Sequence, residues 1–187
     1  MSHYIDIHLR PDPEFPAHLL MGALYGKLHR ALALARATSI GVSFPGYQGA
    51  PASLGCALRL IGPEKDLERL MEDGWLKGMR DHIEVVSATR VPTSAVPRTL
   101  RRVQAKSSPE RLRRRQMRRH GLSVEDAFER VPDSCAEVLR LPFLSIASAS
   151  TGQTFRLFLR LGPATTGNED GAFNAYGLSG SATIPWF

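Results

Sequence analysis

The chain has 187 residues, 43% of them hydrophobic and 22% charged, enough to bury one good core in one or two domains, and it carries a formal charge of +6. Composition excludes disordered, collagen-like and disulfide-scaffold classes, and no stretch approaches the roughly 20 apolar residues that a membrane span needs. The opening MSHYIDIHLRPDPEF is unlike a signal peptide, and Cys56 and Cys135 alone cannot build a cysteine-based zinc site, so a protein of the reducing cytoplasm is expected.

Tyr4 to Arg10 alternate, with Ile5, Ile7 and Leu9 on one face and Tyr4, Asp6, His8 and Arg10 on the other, which predicts a half-buried strand. After the PDPEFP punctuation a helix is predicted from about Ala17 to Leu34, with Leu20, Leu24, Leu28 and Ala31 on its apolar stripe. Ile40–Phe44 and Ala57–Ile61 read as strands joined by a loop around 45–55. Pro63 opens a second helix in which Leu67, Leu70 and Met71 share a face, and His82–Val86 gives a fourth strand. The fold class expected is α+β. The order βαββαβ is the ferredoxin-like split arrangement, placed at residues 1–94, and a C-terminal α+β domain is expected at 95–187. That fold alone licenses no function.

The linker VPTSAVP around 91–97 leads into an extended basic segment and then a helix at about 108–120, with Ser108 as N-cap, Pro109 as first residue and Gly121 as the stop. Further helices are predicted near Val124–Val131 and Ser134–Leu139, and strands at Phe143–Ser148, Thr154–Leu161, Ala172–Tyr176 and Thr183–Phe187. Residues 98–119 hold ten cations and one acid, Glu110, a net +9, so the rest of the chain carries −3. Twenty of the 24 cations are arginine, whose forked guanidinium suits phosphate and guanine edges. A solvated charged face usually alternates its signs, and this run does not. A polyanion partner follows, nucleic acid first among the candidates.

At about 100° per residue, Arg111, Arg114, Arg115, Arg118 and Arg119 fall within an arc of roughly 140°. Burying that face unpaired is prohibitive, so it is expected to lie on nucleic acid. In A-form RNA the major groove is deep and narrow, which points to a short hairpin or a distorted duplex end. Arg102 and Gln104 alternate with Val103 and so point the same way, and both are suited to reading base edges or, equally, to touching phosphate. His3, His8, His18, His82 and His120 have no special claim, and no pair has the spacing of a metal site. His29 stands off the apolar stripe, about 180° from Leu20, beside Tyr25 and before Arg30. An exposed helix histidine is usually inert. Ser148 and Ser150 in SIASASTGQ, Phe155 and Tyr176 are open to core, turn or site readings.

HLRPDPEFP, GKLH through His29, GVSFP at 41–45, RRVQAKSSPERLRRRQMRRH at 101–120, STGQTFRLFLRLGP at 150–163, and YGLSG with the final PWF carry a resemblance over essentially the whole length. In these segments the chain resembles the CRISPR RNA-processing endoribonucleases of the type I-F system. Residues 46–56 and 87–97 are less similar and look like loops. The resemblance implies a metal-independent cut on the 3′ side of a repeat stem-loop, leaving a 2′,3′-cyclic phosphate and a 5′-hydroxyl. His29 would be general base on the ribose 2′-hydroxyl, Ser148 would hold that ribose, Ser150 would touch the same phosphate region, and Tyr176 would orient His29. Phe155 would stack beneath the closing base pair, Arg102 and Gln104 would read the stem foot, and the arginine helix would enter the hairpin major groove. No cofactor is implied. The partners implied are the repeat stem-loop and the other subunits of the type I-F surveillance complex, with no membrane and a monomer when free.

Such an internal attack needs alignment more than a hydrolytic water or metal. A non-catalytic RNA hairpin-binding protein and a DNA-binding regulator are the competing readings, the latter using the same helix in the wider B-DNA groove.

Overall fold

A computed structural model of the chain describes residues 1–105, 108–147 and 152–187. Among these residues the fold is mixed α+β, with two antiparallel sheets and four α-helices. The chain divides into two compact units, residues 1–103 with 141–187, and residues 104–140. Both sheets belong to the first unit, so the strands on either side of residue 94 share one body, and the division falls at 103/104 and 140/141. No helix among the described residues is long and apolar enough to cross a membrane.

The first sheet contains β1 (His3–Leu9), β2 (Gly41–Ser43), β3 (Ala57–Gly62), β4 (Ile83–Val85) and the two-residue β5 (Thr89–Arg90). Its order is β2-β3-β1-β4, with β5 pairing alongside the first residues of β1. Helix α1 (Ala17–Ala35) buries Leu20, Leu24, Leu28 and Ala31, the stripe its spacing predicts, and adds Met21 and Leu32. Helix α2 (Glu64–Glu72) buries Leu67 and Leu70. Met71, expected on the same face, is only part-buried against the core.

The far face of β1 is not the solvated face that its alternation suggests. Asp6 is buried and receives both Nε and Nη2 of buried Arg59 on β3, at 2.7 and 2.8 Å. The same guanidinium donates to the Phe187 carbonyl at 2.9 Å and lies 3.8 Å from the Phe187 ring centroid and 4.6 Å from that of Tyr4. The end of the chain therefore covers this face, and a paired charge takes the place of an apolar contact.

The second sheet has the order β7-β8-β6-β9, from β6 (Val96–Val103), β7 (Phe143–Ala147), β8 (Thr154–Ala164) and β9 (Ile184–Trp186). The basic extended segment is thus a paired strand, with Leu100 facing the core and Arg101 and Arg102 exposed. Two expected elements are replaced by turns. Ser134–Leu139 forms only a 3-10 turn at Asp133–Cys135, since a helix there would have little to bury and Val138 stays 78% exposed. Ala172–Tyr176 is not a strand, because the Asn174 side chain accepts from the Tyr176 and Leu178 amides and closes a turn.

The second unit holds α3 (Pro109–His120) and α4 (Val124–Arg130). Ser108 accepts from the Arg111 amide, Pro109 opens α3, and Gly121 ends it in the left-handed conformation at φ 61°. Ser123 caps α4 in the same way.

Breaking the buried pair tests this architecture. Asp6→Ala leaves Arg59 charged and partly unpaired inside the sheet, and should cost about 3–5 kcal/mol. Urea unfolding should show the midpoint falling with the slope unchanged.

Candidate active site

Helix α1 lies directly on the backbone of β7. A Cβ on Gly22 would fall onto the Ser145 carbonyl oxygen, and one on Gly26 would sit 3.9 Å from the Ile146 side chain. Only the absence of a side chain at 22 permits this approach. The strand ends at Ala147, and Ser148 and Ser150 lie outside the described residues.

At the next turn of α1, Tyr25 and His29 stand four residues apart on neighbouring positions of the helix. The Tyr176 ring packs over both. It is parallel to His29, with centroids 4.0 Å apart and planes 14° apart, and it stacks on Tyr25 at 6.5 Å and 18°. Tyr25 is fully buried and its hydroxyl donates to the Tyr176 carbonyl at 2.6 Å. Burial and then the neighbouring Tyr176 push the Tyr25 phenol far above its ordinary pKa, so it remains a donor at any working pH.

Tyr176 itself is delivered by the Asn174–Leu178 turn, in which Gly177 has φ 66° and donates to the Asn174 carbonyl at 2.8 Å. Its carbonyl accepts from Val42 on β2 at 3.0 Å, and a Cβ at 177 would press into the Val42 side chain. Both backbone conformation and space demand glycine there.

His29 is half-buried. Burial, and after it the adjacent Arg30 guanidinium, hold its imidazole below the ordinary histidine pKa. Among the described residues no side chain hydrogen-bonds its ring nitrogens. A stacked aromatic ring, rather than a carboxylate of the described residues, lies against its plane. The arrangement supplies a neutral, oriented imidazole near pH 7, the state a general base requires.

On the second sheet, the Arg102 guanidinium is 5.7 Å from the Phe155 ring centroid, one exposed and the other half-buried. These two expected site residues come together. Gln104 is exposed, as Arg102 is, and lies one residue beyond the end of β6.

Within that other unit, Arg111, Arg114, Arg115, Arg118 and Arg119 line one groove of about 540 Å³ on α3, all exposed. Only Arg114 has an ion pair among the described residues, with Glu110 at 3.2 Å. Arg113, about 200° around the helix from Arg111, is buried instead. Its Nε donates to the Val131 carbonyl at 2.8 Å, its Nη2 meets Asp133 at 2.6 Å, and its guanidinium lies 3.5 Å from the Phe128 ring centroid. Sequence reading missed this clamp, and the one signal for it is that Arg113 falls outside the arginine arc. Tyr25 carries a sequence signal too, its i, i+4 relation to His29.

The chain matches the family model described as CRISPR-associated protein (Cas_Csy4) over residues 4–187. It is 51% identical over 187 residues to the CRISPR-associated endonuclease Cas6/Csy4 of Pseudomonas aeruginosa (strain UCBPP-PA14), covering all of both chains. It is 42% identical, again over the full length of both, to the protein of the same name from Escherichia coli (strain UTI89 / UPEC).

The clamp at Arg113 is separable from the exposed arginines. Arg113→Ala strips a buried carbonyl and Asp133 of their donor and should loosen residues 104–140 by about 2–3 kcal/mol, whereas Arg118→Ala should not. Amide exchange reads this as faster exchange confined to α3 and α4.

Proposed function

Because the chain belongs to the CRISPR-associated Cas_Csy4 family, we propose that it is an endoribonuclease of CRISPR repeat RNA. It binds the repeat stem-loop, cuts on its 3′ side and keeps the processed guide RNA within the type I-F surveillance complex. The antiparallel order β2-β3-β1-β4 with α1 and α2 supports reading the N-terminal part as a ferredoxin-like unit. The observation that carries the catalytic reading is the imidazole of His29, held flat against Tyr176, with no side-chain hydrogen bond to its nitrogens among the described residues and its proton affinity reduced.

In this reading His29 takes the proton of the ribose 2′-hydroxyl. The 2′-oxygen forms a bond to the adjacent phosphorus, and the bond to the 5′-oxygen breaks. That oxygen takes up a proton, leaving a 5′-hydroxyl and a 2′,3′-cyclic phosphate. The nucleophile belongs to the substrate, so the protein's part is alignment and proton transfer. Ser148 is assigned to holding the ribose, Ser150 to the same phosphate region and Tyr176 to orienting the base. Phe155 offers a face to the closing base pair, and Arg102 and Gln104 read the stem foot. Arg111, Arg114, Arg115, Arg118 and Arg119 hold the hairpin through its phosphates and groove.

Single-turnover cleavage of the repeat hairpin tests the assignment. His29→Ala should leave affinity within a few-fold and slow cleavage by at least about 10²-fold. A substrate with 2′-deoxyribose at the cut should bind and stay intact, and EDTA should change nothing. The wild-type rate should rise with pH and level off, with its midpoint below the ordinary histidine value of about 6.5, because the base works only unprotonated and its pKa is lowered. Arg30→Gln removes the second cause of that lowering and should move the midpoint upward. Cleavage of the deoxy substrate would eliminate the mechanism, and binding without cleavage by the wild type would leave a hairpin-binding protein.

A further inference from the structure

We infer that the outward face of the second sheet is a docking surface for an acidic segment of another protein, a neighbouring subunit of the complex that keeps the guide RNA. The choice of that partner rests on the proposed function; the surface itself does not.

Strand register composes the face. Arg101 of β6 stands directly opposite Arg160 of β8, and Val103 opposite Phe158. On the other side of β8, Phe143 of β7 stands opposite Phe158, and Ser145 opposite Arg156. Partners across a ladder share a face, and along their strands these residues alternate with Leu100, Leu144, Leu157 and Leu159, all buried. Arg101, Arg156 and Arg160 are exposed, and Phe143 is 39% exposed. The Phe143 and Phe158 rings meet at 5.4 Å between centroids, tilted by 55°, and the Arg156 guanidinium lies 4.8 Å from the Phe143 centroid. Phe143 and Ser145 also line a cleft of about 390 Å³ with Met21 of α1 and Leu54, room for an apolar side chain of a docked segment.

Charge selects the occupant. The four strands of this sheet contain five arginines and no aspartate or glutamate. Arg101, Arg156 and Arg160 have no ion pair among the described residues. Like charges directly across an antiparallel pair, with Cβ atoms about 4.5–5.5 Å apart, repel, and Arg101 and Arg160 are such a pair. Buried Arg59 and Arg113 hold carbonyls, carboxylates and rings in the fold, whereas these two guanidiniums face solvent. A carboxylate set between them would turn repulsion into attraction.

The rings favour a protein over an RNA strand. A base stacks on an open ring face. Here Arg156 lies over Phe143, and Phe158 is half-buried and tilted against it, so the pair offers no flat platform. Aromatic rings and arginines around an apolar centre are the residues enriched at protein–protein contacts.

The test uses the full-length protein and the remaining type I-F subunits assembled on a guide RNA truncated before its stem-loop, so that only protein contact can recruit the chain. Affinity is measured by biolayer interferometry, beside hairpin binding, hairpin cleavage and the melting temperature of the free protein. Arg160→Glu places opposite charges across the two strands, so the free variant should melt about 1–4 °C higher than the wild type. It should bind and cut the hairpin normally, yet bind the assembled subunits at least about tenfold more weakly, because its own carboxylate now meets the partner's. Phe143→Ser should weaken the same binding by about tenfold and also spare the hairpin. No binding of the wild type to the assembled subunits, or undiminished binding by Arg160→Glu, would overturn the docking surface and leave the nuclease reading intact. Weaker hairpin binding by Arg160→Glu would assign the face to RNA, and a lower melting temperature would remove the repulsion on which the argument stands. Failure of the wild type to bind or cut the hairpin would overturn the nuclease reading and the choice of partner with it.

Discussion

Everything at the candidate site depends on the stack of Tyr25, Tyr176 and His29. Two of its rings come from one helix and the third from a turn more than 140 residues later, so the stack ties the two ends of the chain together. Its precision comes from below. The helix is seated on β7 by the missing side chain of Gly22, and the turn is seated on β2 by Gly177. The buried Tyr25 hydroxyl then fixes the turn's backbone to the helix. A base oriented this way needs no carboxylate partner, which would raise its pKa. Burial and Arg30 act in the opposite sense and keep the imidazole neutral.

Arginine serves two purposes in this chain, separated by geometry. On α3, five guanidiniums stay in solvent along one groove, while Arg113 on the opposite face is spent holding Val131, Asp133 and Phe128. Arg59 does the same for Asp6 and Phe187 in the first sheet. The buried guanidiniums are planar, paired and covered by rings, whereas of the five exposed ones only Arg114 has an ion pair among the described residues. This contrast gives the exposed set its electrostatic reach, because charges already neutralised by the protein release no counterions from a nucleic acid.

Much of the fold was legible in local patterns. The α1 stripe, the Ser108-Pro109 start and Gly121 stop of α3, and the arc of five arginines are all short-range rules, and the structure follows them. What escaped were long-range facts. Asp6 looks solvent-facing until Phe187 arrives to cover it, and residues 172–176 look like a strand until Asn174 claims the amides of Tyr176 and Leu178. The candidate site was legible only through the motif resemblance. Helical spacing sets His29 off the apolar stripe but cannot say that a tyrosine from residue 176 lies over it.

The claim that a ring, not a hydroxyl, positions the base is tested most directly at Tyr176. Single-turnover cleavage and hairpin affinity should be measured side by side for Tyr176→Phe and Tyr176→Leu. The phenylalanine variant keeps the stacking surface and should cleave within a few-fold of the wild type. The leucine variant should bind the hairpin normally and cleave at least about tenfold more slowly, a loss of about 1.4 kcal/mol of barrier lowering. Equal impairment of both variants would assign the work to the phenol oxygen, and full activity in both would contradict the stack as the source of His29's orientation.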